Sequence, residues 1–173
     1  FILDLRDNLL TGPIPGSWDT MPGIETIDLQ NNALSGAIPD SLGNLTSLEF
    51  LLLHNNQLSG AVPSTLGNLS VLKELKLDHN QLSGIIPDTL GNLDELVVLD
   101  LSFNELLGPA PESICALISR PAFVFNVAHN HICGPHPSCL ADLMGEQDTS
   151  SCTMECGDLE CGDNAICEES SGS

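Results

Sequence analysis

Leu75-Lys76-Leu77-Asp78-His79-Asn80-Gln81-Leu82-Ser83-Gly84-Ile85-Ile86-Pro87 is the stretch that decides the fold, because its pattern recurs on both sides at a fixed interval. Placing the asparagines in register gives Asn8, Asn32, Asn56, Asn80 and Asn104 at steps of 24 residues, then Asn130 after a longer step of 26. Leucines keep pace with them: Leu5, Leu29, Leu53, Leu77 and Leu101 before each asparagine, Leu10, Leu34, Leu58, Leu82 and Leu106 after it. At such a period no single unit buries its own apolar face, and stacked neighbours must bury it together. The predicted fold is a solenoid.

Each part of the unit has a physical task. Leu75 and Leu77 alternate with lysine, the period-two signature of a short strand with one buried face. Asn80 follows where the chain turns inward, and a buried asparagine satisfies backbone groups of adjacent turns that would otherwise stay unpaired. Gly84 and Pro87 punctuate the outer arc, one permitting unusual dihedrals and the other fixing them. Leu90, Leu93 and Leu96 then recur at spacing three, which suits a tight helical segment on the convex side.

The pattern L-x-x-L-x-L-x-x-N-x-L is identified as a leucine-rich repeat. The longer form Leu-Ser-Gly-x-Ile-Pro-x-x-Leu-Gly-Asn-Leu, nearly complete at 34–45, 58–69 and 82–93, resembles the plant-type subclass of that family. The resemblance covers roughly residues 1–139. It implies an α/β solenoid with short parallel strands on its concave face and a 3-10 or irregular convex side. It also implies a secreted or cell-surface ectodomain that binds peptides, proteins or glycans, as receptor-kinase ectodomains and polygalacturonase-inhibiting proteins do.

The 173 residues carry 24 acidic side chains against 4 basic ones, a formal charge of −20. With no Lys/Arg cluster to neutralise phosphates, nucleic acid is excluded as a partner, and anionic membrane surfaces are disfavoured. Such acidity favours solubility and attracts calcium or a basic partner, although a hydrated surface is its plain reading. No stretch reaches the length of a membrane-spanning helix, so no direct membrane insertion is expected. Phe1 opens inside a repeat, and because solenoids need polar terminal caps, further repeats or a cap are expected upstream.

Residues 1–28 hold a degenerate repeat in which Trp18 takes a leucine position and is expected in the core. In the regular array, Asn44-Leu45-Thr46 and Asn68-Leu69-Ser70 are glycosylation sequons, whereas the equivalent Asn92-Leu93-Asp94 is not. Ala122 to Asn130 reads as a final strand with Phe and Val in place of leucine. The segment Asn130-His131-Ile132-Cys133-Gly134-Pro135-His136-Pro137-Ser138-Cys139 resembles the cysteine-pinned closing motif of plant-type arrays.

From Leu140 the chain turns acidic without a lysine or arginine, and cysteines stand at Cys152, Cys156, Cys161 and Cys167. Residues 140–155 read as an acidic linker. Residues 156–173, with Cys156-x4-Cys161-x5-Cys167, resemble the first half of an epidermal-growth-factor-like module. That resemblance implies Cys156 paired with Cys167 and Cys161 awaiting a partner beyond Ser173. Seven cysteines cannot all pair within the chain. The remaining Cys115, Cys133, Cys139 and Cys152 then make two bridges in the array's cap, with proximity favouring Cys133 to Cys139. Such disulfide density indicates an oxidising compartment.

Chemistry is not evident. There is no nucleophile elbow, phosphate-binding glycine loop or zinc-protease helix, so no enzyme and no cofactor are expected. His129, His131, Cys133, His136 and Cys139 are zinc-type ligands. Prolines crowd that segment, though, and the cysteines suit a disulfide cap, so no metal is expected. Calcium at the growth-factor-like module would call for acidic residues ahead of Cys156, and Glu155 alone fits.

The default binding face of such a solenoid is its concave strand surface, where residues 24 apart stand side by side. Its columns read Glu25, Glu49, Lys73, Val97, Phe123; Thr26, Phe50, Glu74, Val98, Val124; Asp28, Leu52, Lys76, Asp100, Asn126; and Asn31, Asn55, His79, Phe103, His129. Phe50, Leu52, Val97, Val98, Phe103, Phe123 and Val124 stand where polar residues would cost nothing, and with His79 and His129 they form the expected contact surface. The expected function is non-enzymatic: an extracellular interaction or adhesion module that holds a protein or glycan, or copies of itself. The alternatives are a structural tile of an extracellular filament or matrix, and the ectodomain fragment of a signalling receptor.

Overall fold

A computed structural model describes residues 1–18, 21, 23–140 and 143–148. Each turn contributes two short strands. They are β1 (Ile2–Asp4) and β2 (Thr11–Gly12), β3 (Thr26–Asp28) and β4 (Ala33–Gly36), β5 (Phe50–Leu52) and β6 (Gln57–Ala61), β7 (Glu74–Lys76) and β8 (Gln81–Gly84), β9 (Val98–Asp100) and β10 (Glu105–Gly108), and finally β11 (Val124–Asn126) and β12 (His131–Ile132). The odd-numbered strands form one six-stranded parallel sheet in chain order, and the even-numbered strands form a second on the adjoining flank. The architecture is the leucine-rich repeat solenoid that the spacing predicts.

The second sheet is an addition to that reading. Its strands come from the Leu-Ser-Gly part of the unit, where the chain leaves the asparagine extended and reaches a glycine with φ near +80°, as at Gly60 and Gly84. Across the convex side run 3-10 helices at Asp40–Asn44, Ser64–Asn68 and Asp88–Asn92, each entered from a proline. In the following turn a short helix α1 (Ile114–Ile118) takes their place and absorbs the two extra residues of the longer step.

The alternation buries the middle residue completely in the four inner concave strands, at Ile27, Leu51, Leu75 and Leu99, and partly at Leu3 and Phe125 in the outer two. Leu53, Leu77 and Leu101 join them, and Trp18, as expected from its place in the period, is buried too. Leu5 and Leu10 belong to the same rows and are 40% and 37% exposed.

The asparagines form the file that their spacing predicts. Nδ2 of Asn80 donates to the carbonyls of Leu77 (3.0 Å) and Asp78 (3.2 Å) in its own turn and of Leu53 (3.1 Å) in the turn before, while its Oδ1 accepts from the Leu58 amide at 2.9 Å. Asn32, Asn56, Asn104 and Asn130 repeat this set. A second file runs along the convex side: the hydroxyls of Ser41, Thr65, Thr89 and Ser113 donate to the carbonyls of Gly16, Asp40, Ser64 and Asp88. These turns approach so closely that a Cβ on Gly43, Gly67 or Gly91 would run into Thr65, Thr89 or Ser113 of the next turn. That accounts for the glycine in Leu-Gly-Asn-Leu.

The array closes later than composition suggests. Leu140 and Met144, in the stretch read as linker, are buried in the core. Gln147 imitates an asparagine rung: its Nε2 donates to Met144 (2.6 Å) three residues back and to Val127 (2.9 Å) in the last turn, and its Oε1 accepts from Ile132 at 3.3 Å. Leu140, Met144 and Gln147, from the segment read as the start of a linker, therefore pack with the cap. The rest of that linker and the growth-factor-like segment, with Cys152, Cys156, Cys161 and Cys167, lie outside the described residues.

The disulfide expectation is corrected as well. Cys139 pairs with Cys115, tying the 3-10 turn Ser138–Leu140 to α1, and not with its near neighbour Cys133. Their separation of 24 residues is the repeat period, so the two stand on neighbouring turns. Cys133 is disulfide-bonded too.

Candidate functional site

Strand pairing sets the concave columns as read. Thr26, Phe50, Glu74, Val98 and Val124 are register partners across the sheet, as are Asp28, Leu52, Lys76, Asp100 and Asn126. Val97 and Val124 are exposed and Val98 half-buried, on the last two turns. Phe50 and Leu52 are half-buried on β5, separated from those valines by the charged turn of β7. There Lys73 pairs with Glu49 at 2.6 Å and Lys76 with Glu74 at 3.5 Å. The apolar surface is therefore divided into a smaller patch on β5 and a larger one on the last two turns.

Phe123 does not continue the outer column. Its amide bonds to Arg120 in place of the preceding strand, and its ring packs on the core beside Phe125 with centroids 6.4 Å apart. The amide of Val124, not of Phe123, takes up the carbonyl of Val97 at 2.8 Å.

The column just ahead of the asparagines has a geometry that composition does not reveal. Asp7, Asn31, Asn55, His79, Phe103 and His129 all lie at φ between 52° and 56°, the left-handed region that non-glycine residues enter at a cost. The turn demands that torsion at every repeat, so the side chains leave the backbone at one angle and line up. Asn55 donates to Asn31 at 2.9 Å and Asn31 to Asp7 at 2.7 Å. Further along, the rings of His79 and Phe103 stack at 4.3 Å, and those of Phe103 and His129 at 4.2 Å, each within about 22° of parallel. Amide hydrogen bonds thus give way to an aromatic stack in one continuous file along the rim. The sequence signal for it was present in the column, but the stacking follows from the shared torsion.

Asp78 Oδ2 lies 3.0 Å from Nδ1 of His79 and fixes that ring's orientation. Deeper in the sheet, Asp28 is buried and engaged by Gln30 and by Arg6 at 3.5 Å. Asp100 accepts from the amide and hydroxyl of Ser102, and Asn126 donates to both residues. These polar groups brace one another. Among the described residues, no group of three or more His, Cys, Asp or Glu is placed to hold a metal ion. Cys133 and Cys139 of the zinc-type set are disulfide-bonded and unable to serve as thiolates. No helix among the described residues is long and apolar enough to cross a membrane. Asn44 and Asn68 are exposed at the ends of successive 3-10 helices on the convex side, away from the concave sheet.

The leucine rich repeat family model matches residues 2–58 and 51–106. No curated protein matches the chain at a significant level. Among solved structures, the chain is similar to the ectodomain of the membrane receptor kinase GASSHO1/SCHENGEN3 from Arabidopsis thaliana, determined in complex with CASPARIAN STRIP INTEGRITY FACTOR 2. Identity is 34% over 82% of this chain and 17% of that one, with a TM-score of 0.76. The Arabidopsis receptor kinase HAESA, in complex with the peptide hormone IDA and the co-receptor SERK1, is 40% identical over 84% of this chain and 25% of its own, with a TM-score of 0.71. The BIR2 ectodomain from Arabidopsis thaliana is 36% identical over 76% of this chain and 68% of its own, with a TM-score of 0.68. The chain thus spans a quarter or less of the first two. On the family match and the repeat geometry together, the chain belongs to the leucine-rich repeat family.

Proposed function

We propose that these turns are part of an extracellular ectodomain whose concave face holds a protein or peptide partner without catalysing a reaction. The observation that carries the reading is the outward apolar surface on the last two turns. Val97, Val124 and Phe103 are 42%, 56% and 43% exposed there, although a solvated sheet face gains nothing from apolar side chains. Val97 and Val124 on adjacent turns, with Phe103 exposed further along the turn of Val97, offer apolar surface that a partner dehydrates. The likeness to plant ectodomains seen with peptide and protein partners supports this reading, and disulfides support an oxidising, extracellular setting. Glycans on Asn44 and Asn68 would hydrate the convex side and leave the concave face clear.

The test is a binding screen of the purified chain against secreted peptides and ectodomains by interferometry, followed by the double variant Val97→Glu/Val124→Glu. Loss of capture by at least about tenfold with an unchanged melting temperature supports the reading, since a charge in a dehydrated contact is costly. Undiminished capture by that variant removes the concave face from consideration. Capture of oligosaccharides alone, or self-association alone, replaces the partner proposed here.

A further inference from the structure

The residue after the glycine in Leu-Ser-Gly-x-Ile-Pro faces solvent, and packing does not dictate its chemistry, yet it is apolar in every turn. Pro13, Ala37, Ala61, Ile85, Pro109 and Pro135 are all exposed, Ile85 by 60%. They stand in one line down the flank of the second sheet, each beside the glycine of the following turn. A Cβ on Gly60 would lie 3.6 Å from that of Ala37, and one on Gly84 3.7 Å from that of Ala61. At about 4.8 Å per turn the line is about 24 Å long. A contiguous apolar line on so acidic a chain is the mark of a covered surface.

Between this line and the 3-10 helices runs a groove of about 590 Å³, lined by Ala61, Pro63, Ile85 and Pro87 and, at the starts of the helices, by Asp40 and Asp88. No lysine, arginine or histidine lines it. Both aspartates are exposed, and neither is in an ion pair among the described residues.

Charge selects the occupant. The chain's four basic side chains are spent elsewhere: Arg6 pairs with Asp28, Lys73 with Glu49, Lys76 with Glu74 and Arg120 with Asp94. Residues 149–173 contain no lysine or arginine. A second copy, or the chain's own acidic end, therefore brings like charge to Asp40 and Asp88. Geometry narrows the choice further. Strands β4, β6 and β8 are each bonded to a neighbour on both sides, so no edge is free for an added strand, and the occupant is held by side chains while it runs along the axis. Asp40 and Asp88 are two turns apart, about 10 Å. A polyproline-type segment returns to the same face every third residue, after about 9 Å.

We propose that this flank is a second interaction surface, which takes a segment of a partner protein in polyproline conformation. Lysine or arginine at every third position meets Asp40 and Asp88, and the apolar residues between lie on Ala37, Ala61 and Ile85. Such a segment has little order left to gain on binding. The surface is separate from the concave sheet and does not depend on the partner proposed there.

The experiment titrates the 173-residue chain with an acetylated nonapeptide amide, Lys-Val-Pro repeated three times, and follows the methyl resonances of Ala37, Ala61 and Ile85 by NMR. Glu-Val-Pro and Lys-Ser-Pro repeats serve as comparison probes, one reversing the charge and the other removing the apolar side chain. Saturable shifts are expected with the first peptide and binding at least about tenfold weaker with the other two. Ile85→Asn and Ala61→Asn should each weaken the first peptide, Ile85→Asn by about tenfold, and Asp40→Asn/Asp88→Asn by about fivefold. The concave variant Val97→Glu/Val124→Glu should bind it as the parent does. The proposal is overturned by non-saturating shifts, by equal binding of either comparison peptide, by full binding to Ile85→Asn or to the aspartate double variant, or by loss of binding in the concave variant. A dimer in sedimentation that Ile85→Asn dissolves overturns it too, in favour of a second copy.

Discussion

Nε2 of Gln147 donates to the carbonyl of Val127 at 2.9 Å, the bond by which Asn130 reaches Leu101 one turn earlier at 3.0 Å. A glutamine thereby ends a ladder of asparagines, and it does so in a segment with no leucine pattern of its own. Gln147→Ala removes the side-chain acceptor of the Ile132 amide and leaves the Val127 carbonyl with Asn130 Nδ2 alone, a loss of about 1–3 kcal/mol confined to the last turn. Hydrogen exchange should show Ile132 and its neighbours losing protection while Leu75 to Leu77 keep theirs. Uniform loss across the array would mean that the cap and the middle turns open together.

Asn104 and Asn8 occupy the same place in the unit, yet Asn104 bridges two turns from a buried position and Asn8 bonds only to Leu5 and Arg6 of its own exposed turn. Asn104→Ala should cost about 3 kcal/mol, because several buried backbone groups lose their partner at once, whereas Asn8→Ala should cost less than about 0.5 kcal/mol. Urea denaturation of the two variants checks the ratio.

Gly67→Ala should destabilise by about 1–3 kcal/mol, since the added methyl meets the backbone and side chain of Thr89 in the adjoining 3-10 turn. Gly16→Ala, with nothing within 4 Å of the new atom, should change stability by less than about 0.5 kcal/mol. Thermal melts of both variants decide whether turn-to-turn contact or local flexibility governs these positions.

Peptide mapping under non-reducing conditions should recover Cys115 linked to Cys139, and no fragment joining Cys133 to Cys139. The double variant Cys115→Ser/Cys139→Ser should lose about 3 kcal/mol, the constraint expected of a loop of this length. Denaturation of the oxidised parent and the double variant in the same buffer gives the difference.

How much of this was legible follows from what each residue repeats. Leucine and asparagine announce themselves by period, so Leu77 and Asn80 fixed the solenoid and its inner file before any coordinates. The hydroxyls of Ser41, Thr65, Thr89 and Ser113 recur at the same interval but have no apolar signature to draw notice. The link of Cys115 to Cys139 was hidden because nearness along the chain favoured Cys133, although the 24-residue separation carried the answer. Phe123 was placed on the surface by counting, and the longer step before β11 turned it onto the core. Gln147 stayed invisible because a longer side chain does an asparagine's task outside the repeat.

His136 is partly buried, and desolvation lowers its pKa below the usual 6.5. In the window between the lowered value and 6.5 the unfolded chain binds more protons than the folded one, so stability rises with pH there. This contribution is complete above about pH 6.5 and is lost as the pH falls below it. His136→Asn should flatten that part of the stability profile relative to the parent, measured by urea titration at steps between pH 7.5 and 5. Parallel profiles would show that burial of this imidazole has no bearing on folding.

Among the described residues, the asparagine and hydroxyl files and the cross-link between Cys115 and Cys139 each reach to the adjacent turn. Tension applied along the coil axis would therefore meet these ties in series, like links of a chain. Each link that yields would release a length of about 80 Å, the contour of 24 extended residues. Extension would proceed coil by coil from whichever end is weaker, and the cross-linked closing turns would be the last to pay out.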